Sequence, residues 1–392
     1  MKKIKEFLFI SMVLIANISL AQQESNKEPK ATQNETKLSY NKIPNLKKAF
    51  INIAPTNKNE GLKVGVLGKN GGDKNVVIKL ANDIADSKYG NYDSFLISYQ
   101  GKLLFESYYK KGRINLPHFQ ASATKVYTSL AIGRAIELGY LTIDDLNKPL
   151  VSFLTKLDPT KLVDGVEKIT LHQAMTMRSG LRFTKEQISE FRKNRKVYHG
   201  IYQAQAFLSL SKPVNSTSQG FKYQGVDPIL VMQVLDAVVP GSAKDFIKNE
   251  FFDKLGIHNY KWSNDLSGLP LGDSGLKMTS RDMLKLGILV NNKGKWNGKQ
   301  LISYAFMTKA TSKFTKASED WHPENFNYGY YFYQTEIKFG TRTYTANIAW
   351  GGGGQHLITV SDLDLIIAIT GYDWEDVIFN QVSKKVIPAF VK

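Results

Sequence analysis

Four apolar stretches rich in aromatic and β-branched residues crowd the last third of this sequence: FNYGYYFYQTEIKF, TYTANIAW, QHLITV and LDLIIAIT. They read as strands, separated by short turns. Strands joined this closely pair antiparallel, because a parallel pair needs a crossover of a dozen or more residues. A second pair lies far upstream in DSFLISYQGKLLFESYY, folded about Gln100-Gly101. Between the two groups, from about 142 to 269, helical spacing dominates, as at 171–177 and 228–237. This order predicts an α+β fold: a mostly antiparallel sheet flanked by helices, with a helical subdomain inserted at about 128–275. Helices are also expected at 75–87, at 279–291 with Thr279 or Ser280 as N-cap, and at 374–387, ending at Pro388.

The beginning of the chain has a different character. MKKIKEFLFISMVLIANISLA has a basic start, a short apolar run and small residues Ser19 and Ala21, the pattern of a secretory signal peptide. It predicts export, periplasmic or secreted, with cleavage near Ala21. Residues 22–48 are polar and poor in large apolar side chains, and are expected to form a flexible leader before a folded domain at 49–392. The sequence contains no cysteine, which excludes disulfides, a thiol nucleophile, cysteine metal ligands and a cysteine-linked lipid anchor.

The formal net charge is +17, from 44 lysines and 8 arginines against 35 acids. The basic residues are scattered and form no nucleic-acid motif, so no nucleic-acid partner is expected. Weak attraction to anionic envelope polymers is compatible with the charge. GVLGKNGG at 65–72 does not fit the phosphate-loop pattern and reads as a turn. The six histidines lack the close spacing of a zinc site, and no metal or cofactor is expected. GxSxG is absent. No motif speaks to oligomeric state.

Chemistry is suggested by FQASATKVYTSLAIGRAIELGY at 119–140. Ser122 precedes Lys125 by three positions, and an apolar helix follows, ending at Gly139. The SxxK spacing alone is weak, since it recurs at Ser39, Ser107, Ser209 and Ser274. Ser39 lies in the leader, Ser107 in a strand, Ser209 just ahead of Pro213, and Ser274 in a glycine-containing loop. Only Ser122 opens a long helix, where residues three apart share a face. A serine hydroxyl needs a base to become a nucleophile, and a lysine serves if burial or nearby charge favours its neutral form. The competing reading is a serine N-cap followed by a surface lysine.

The segment resembles the active-site helix of the serine β-lactamase and penicillin-binding-protein superfamily. It is most similar to the class C-like branch, which includes carboxylesterases and 6-aminohexanoate-dimer hydrolases. The likeness spans about 90–375 and rests on further blocks in order: ITLHQAMTMRSGL, FKYQGVDPILVMQVLDAV, SGLKMTSRDMLKLGILVNNKGKWNGKQLIS, NYGYYFY and AWGGGGQHLITV. It implies that Ser122 forms an acyl-enzyme, that Lys125 accepts its proton, and that Tyr223 hydrogen-bonds into the pair as a proton shuttle. It also implies an oxyanion hole from the Ser122 N–H and a glycine N–H, with Gly353 the first choice in a strand whose register could slip. Gly352 and Trp350 belong to the same strand, and Gln355 is a candidate polar contact for substrate.

Two departures from the family pattern bear on substrate. Tyr223-Gln224-Gly225 lacks the asparagine of Tyr-x-Asn, and Trp350-Gly351-Gly352-Gly353 stands where β-lactamases carry Lys-Thr-Gly. Loss of that lysine implies a less anionic, more apolar substrate than a β-lactam. The expected activity is hydrolysis of a small ester or amide. D-amino-acid peptidase or β-lactamase-type activity on cell-wall-like amides is the enzymatic alternative, and a non-catalytic envelope binding protein on the same fold is the other. Specificity is expected around 183–220 and 305–326, where no motif is found.

Overall fold

The computed structural model describes residues 27–391. The expected signal peptide lies outside the described residues. The main sheet has ten strands. In chain order they are β1 (Phe50–Asn52), β2 (Lys63–Val64), β3 (Tyr92–Tyr99), β4 (Lys102–Tyr108), β5 (Thr315–Lys316), β6 (Asn327–Tyr328), β7 (Tyr333–Phe339), β8 (Arg342–Gly351), β9 (Gln355–Val360) and β10 (Leu365–Gly371). Across the sheet the order is β1-β4-β3-β10-β9-β8-β7-β6-β5, antiparallel throughout, with β2 added parallel to β4. The architecture is the α+β arrangement expected from the sequence.

The β3–β4 hairpin turns at Gln100 (φ 48°) and Gly101 (φ 69°). Two successive positive φ values suit the right-handed twist of the strands it joins, and glycine adopts one without strain. β3 and β10 are buried along their whole lengths, so the centre of the sheet is covered on both faces. Helix α1 (Lys74–Ala85), capped by Asp73, packs on this sheet together with the C-terminal segment.

Helix α2 (Thr124–Glu137) opens the helical part of the chain and ends before Gly139 at φ 79°. Then follow α3 (Leu171–Met175), α4 (Lys185–Lys193), α5 (Gly200–Leu210) and α6 (Val226–Val238). Helix α7 (Ser280–Asn291) is capped by the Thr279 side chain on the Asp282 amide and lies on β10, β9 and β3.

Three expectations need correction. Residues 27–48 are not a detached leader. Ala31 and Ile43 are buried, Glu35 pairs with the buried Arg113, and the Tyr40 hydroxyl donates to Asp93 Oδ2 at 2.5 Å. A few anchoring side chains tie down a segment whose average composition is polar. The stretch FNYGYYFYQTEIKF is two strands: the chain turns at Gly329–Phe332, closed by a Gly329 N–H bond to Phe332 O and with Tyr331 at φ 66°. The last helix begins at Ile378, because Asp373 accepts from the Glu375 and Asp376 amides and Asp376 takes φ 47°. Pro388 sits inside the final turn, Ile387–Ala389, so the helical run passes it by one residue instead of stopping before it.

Candidate active site

Ser122 sits on a backbone turn and not at the start of a regular helix. The segment His118–Phe119 pairs with Leu276–Met278, and the Gln120 N–H bonds to Leu276 O. Ala121 then takes φ 45°, and one tight turn, Ala121–Ala123, runs directly into α2. A left-handed alanine costs roughly 1 kcal/mol and persists only where its surroundings over-determine it. Here the fully buried Gln120 does so, donating to His118 O and accepting from Tyr127 OH.

The cap reading of Ser122 does not hold. The residue before α2 is Ala123, and no side chain caps it. Ser122 Oγ instead lies 3.0 Å from Lys125 Nζ. Lys125 is only 4% exposed, and its Nζ makes a second bond, 2.9 Å, to the main-chain oxygen of Asp273. Among the described residues no carboxylate lies within ion-pair distance of it. Burying an ammonium without a counter-ion is costly, so both contacts matter to its position.

Tyr223 lies beside this pair, but not as expected. Lys125 Nζ stands 5.0 Å from the centre of its ring, a cation–π contact. Among the described residues its hydroxyl makes no hydrogen bond to Ser122 or Lys125. The Tyr223 N–H is held by Glu319 Oε1 at 2.8 Å, and its ring meets Trp321 edge-on at 5.4 Å. Gln224 points away from the pair, donating to Asp227 Oδ1 and Ser179 Oγ. Burial pushes the Asp227 carboxyl up to about 7, against the lowering effect of the Ser179 and Gln224 hydrogen bonds. Gly225 leaves space that a neighbour fills: a Cβ there would lie 2.7 Å from Asp273 Oδ2.

The glycine run forms the β8–β9 turn, with Gly351 paired to Gln355. Gly351 is the residue pressed on the Ser122 turn. A Cβ on it would lie 2.2 Å from Gln120 O and 3.0 Å from Ala123 N, so no larger residue fits. A Cβ on Gly352 would meet Trp374, and Gly353 (φ 87°) neighbours Phe119. Among these glycines it is Gly351 whose α-carbon packs directly against the Ser122 turn.

Gln355 is not a free contact for substrate. It is fully buried, and its amide donates to Gly353 O and Gly371 O, at 2.9 and 2.6 Å. Its role is to brace the glycine turn. Trp350 donates from Nε1 to Asp376 Oδ2 at 2.6 Å, while His356 pairs with Asp376 Oδ1 at 2.8 Å. The Trp350 ring also meets Trp321 and Tyr333, so an aromatic wall of Trp350, Trp321, Tyr333 and Tyr223 flanks the pair. In that wall burial holds His322 down at about 4, hence neutral; it accepts the Glu319 N–H and bonds the Tyr333 hydroxyl at 2.9 Å. Asp273, Glu319, Trp321 and His322 carry no motif. Glu319, Trp321 and His322 do fall inside the 305–326 range expected to set specificity, and for Asp273 the one signal was the small residue at 225, which leaves room for a partner from elsewhere.

The sequence profile of the Beta-lactamase family matches residues 93–372. The chain belongs to the beta-lactamase family. Its members are serine hydrolases, and this chain is one by membership. None of the curated proteins matches the sequence. Solved structures share the fold at low identity. A class C beta-lactamase superposes with a TM-score of 0.62 to 0.63 in two structures, at 14% identity; in the first the match covers 81% of this chain and 96% of the other. A Bacillus anthracis protein provisionally named a 6-aminohexanoate-dimer hydrolase gives 0.62 at 19% identity, covering 80% of each chain. A D-stereospecific amidohydrolase from Streptomyces gives 0.59 at 14% identity, covering 79% of this chain and 98% of the other.

Proposed function

We propose that this chain cleaves a small ester or amide through an acyl-enzyme on Ser122. The observation that carries the reading is the 3.0 Å contact between Ser122 Oγ and the buried Lys125 Nζ, with the Asp273 carbonyl holding the lysine in place. In its neutral form the lysine takes the hydroxyl proton as Oγ bonds to the substrate carbonyl carbon. The proton then passes to the leaving group as its bond to that carbon breaks. Tyr223 is the relay we favour: its ring already lies against Lys125, and its hydroxyl must turn toward Ser122 when substrate enters. The oxyanion is met by the Ser122 N–H and an N–H of the Gly351–Gly353 segment. Water then releases the acyl group.

The aromatic wall argues for a substrate less anionic than a β-lactam. Trp350 occupies the place of the family lysine, and its indole N–H is already committed to Asp376. Export rests on the first 21 residues and is part of the same proposal.

Intact-mass labelling of the mature protein with a fluorophosphonate and with a penicillin, beside Ser122→Ala, tests it. We expect a fluorophosphonate adduct that disappears in the variant. A stable penicillin adduct at the same serine would move the reading to a cell-wall peptidase. No adduct with either probe would support the non-catalytic alternative.

A further inference from the structure

A cavity of about 430 Å³ lies between α4, α5 and α6, walled by Ile188, Phe191, Phe207, Ile229 and Leu271. Asp273 and Gly225 are among its lining residues. Asp273 is half-buried, and its main-chain oxygen is the group that holds Lys125 Nζ. One residue thus meets the lysine through its main chain and lines the cavity. Oδ1 accepts from Ser274 Oγ at 3.0 Å, while among the described residues Oδ2 has no hydrogen-bond or ion-pair partner. Arg192 and Arg195 line the same cavity, but both are exposed and neither forms an ion pair with Asp273. Oδ2 stands 2.7 Å from where a Cβ on Gly225 would be.

These facts combine at one point. Where the family pattern has an asparagine amide, which both donates and accepts, this chain has a glycine and a carboxylate brought in from another loop. A carboxylate accepts only, and it carries a full charge. Its partner must be a donor, and a cationic donor makes the stronger bond. The apolar walls reduce the screening such a pair would meet in water.

We propose that Asp273 is a specificity residue that selects substrates bearing a protonated amino group near the scissile carbonyl. The proposal rests on the Ser122 hydrolase reading. A substrate presenting a carbonyl or carboxylate to Oδ2 is disfavoured by the same charge.

The test compares 4-nitroanilides of glycine and β-alanine with those of propanoate and butanoate, in which a methyl group replaces the ammonium. The readout is the ratio of kcat/KM within each pair, in wild type, Asp273→Asn and Asp273→Glu, so that general losses cancel. Both variants keep the main-chain oxygen that holds Lys125. We expect the wild type to favour at least one amino substrate by about tenfold or more, the scale of a charge-assisted hydrogen bond. The ratio should fall toward one in Asp273→Asn and recover in part in Asp273→Glu. A wild-type ratio near one, or a preference that survives in Asp273→Asn, overturns the proposal. 4-Nitrophenyl butanoate, which has no N–H, separates the two readings. If its turnover is no greater than that of Ser122→Ala, the hydrolase reading itself has failed, and the proposal with it.

Discussion

Lys125 is a buried amine whose hydrogen-bond partners, among the described residues, are a hydroxyl and a main-chain carbonyl. A residue in that setting is kept for its chemistry, because packing alone would favour an apolar side chain of the same length. Lys125→Met should leave the fold intact and lower the rate of Ser122 acylation by about 10²- to 10⁴-fold, the usual share of a general base. Stopped-flow acylation beside a thermal melt separates the two effects. Asp227 makes a different prediction. Burial lets its carboxyl hold a proton up to about 7 in the fold, whereas an ordinary aspartate loses it near 3.8. Between those values the native state binds more protons, so the Asp227 contribution makes stability decline as pH rises from about 4 to about 7 and level off above. Asp227→Asn removes that slope, so its stability relative to wild type should be higher at pH 8 than at pH 5 in urea titrations. The Ser122–Lys125 pair was legible because its spacing coincided with the start of an apolar run. Asp273 was not, because it reaches the pair through space from a loop with no periodic pattern.

At the scale of elements, the site depends on how closely one strand end approaches one turn. Gly351→Ala would place a methyl group 2.2 Å from Gln120 O and force β8 and the Ser122 turn apart. Overpacking of this kind costs about 1–3 kcal/mol, and the geometry around Ser122 should suffer first. We expect fluorophosphonate labelling to slow by at least about tenfold, the effect of losing an oxyanion donor or its alignment, while far-ultraviolet circular dichroism stays that of the wild type. The glycine run marked this turn in the sequence, but four consecutive glycines offer no side chain by which to set the register. Gln355 misled for a related reason. A polar residue at the start of a strand suggests a contact with solvent or substrate, and nothing local shows that Gly353 O and Gly371 O close around its amide. The long hairpins and α7 were readable because period and cap agree; β6 and β7 merged because aromatic residues continue through their turn.

For the whole molecule, the order of strand groups around a helical middle was enough to give the architecture. What composition hid was the strap of residues 27–48, whose polar average masks three or four anchors. Tyr40 is the chief of these, with its hydroxyl on Asp93 and its ring stacked 5.0 Å from Tyr372. Tyr40→Phe leaves a buried carboxylate with one fewer donor and should cost about 1–3 kcal/mol in urea unfolding. A chain begun at residue 49 should lose at least as much.

The sheet is sewn from both ends of the chain, and this sets the order in which the protein can be made. β3 finds its neighbour in β10, so a ribosome must finish nearly the entire polypeptide before the hairpin at the start can be sheathed. Until then its apolar rim stays open, a template for pairing with other chains. Clipping the coding sequence just ahead of β10 should yield inclusion bodies and not a weakened enzyme. The same delay is compatible with the export proposed above, since the last stitch is unavailable while the polypeptide is still being threaded.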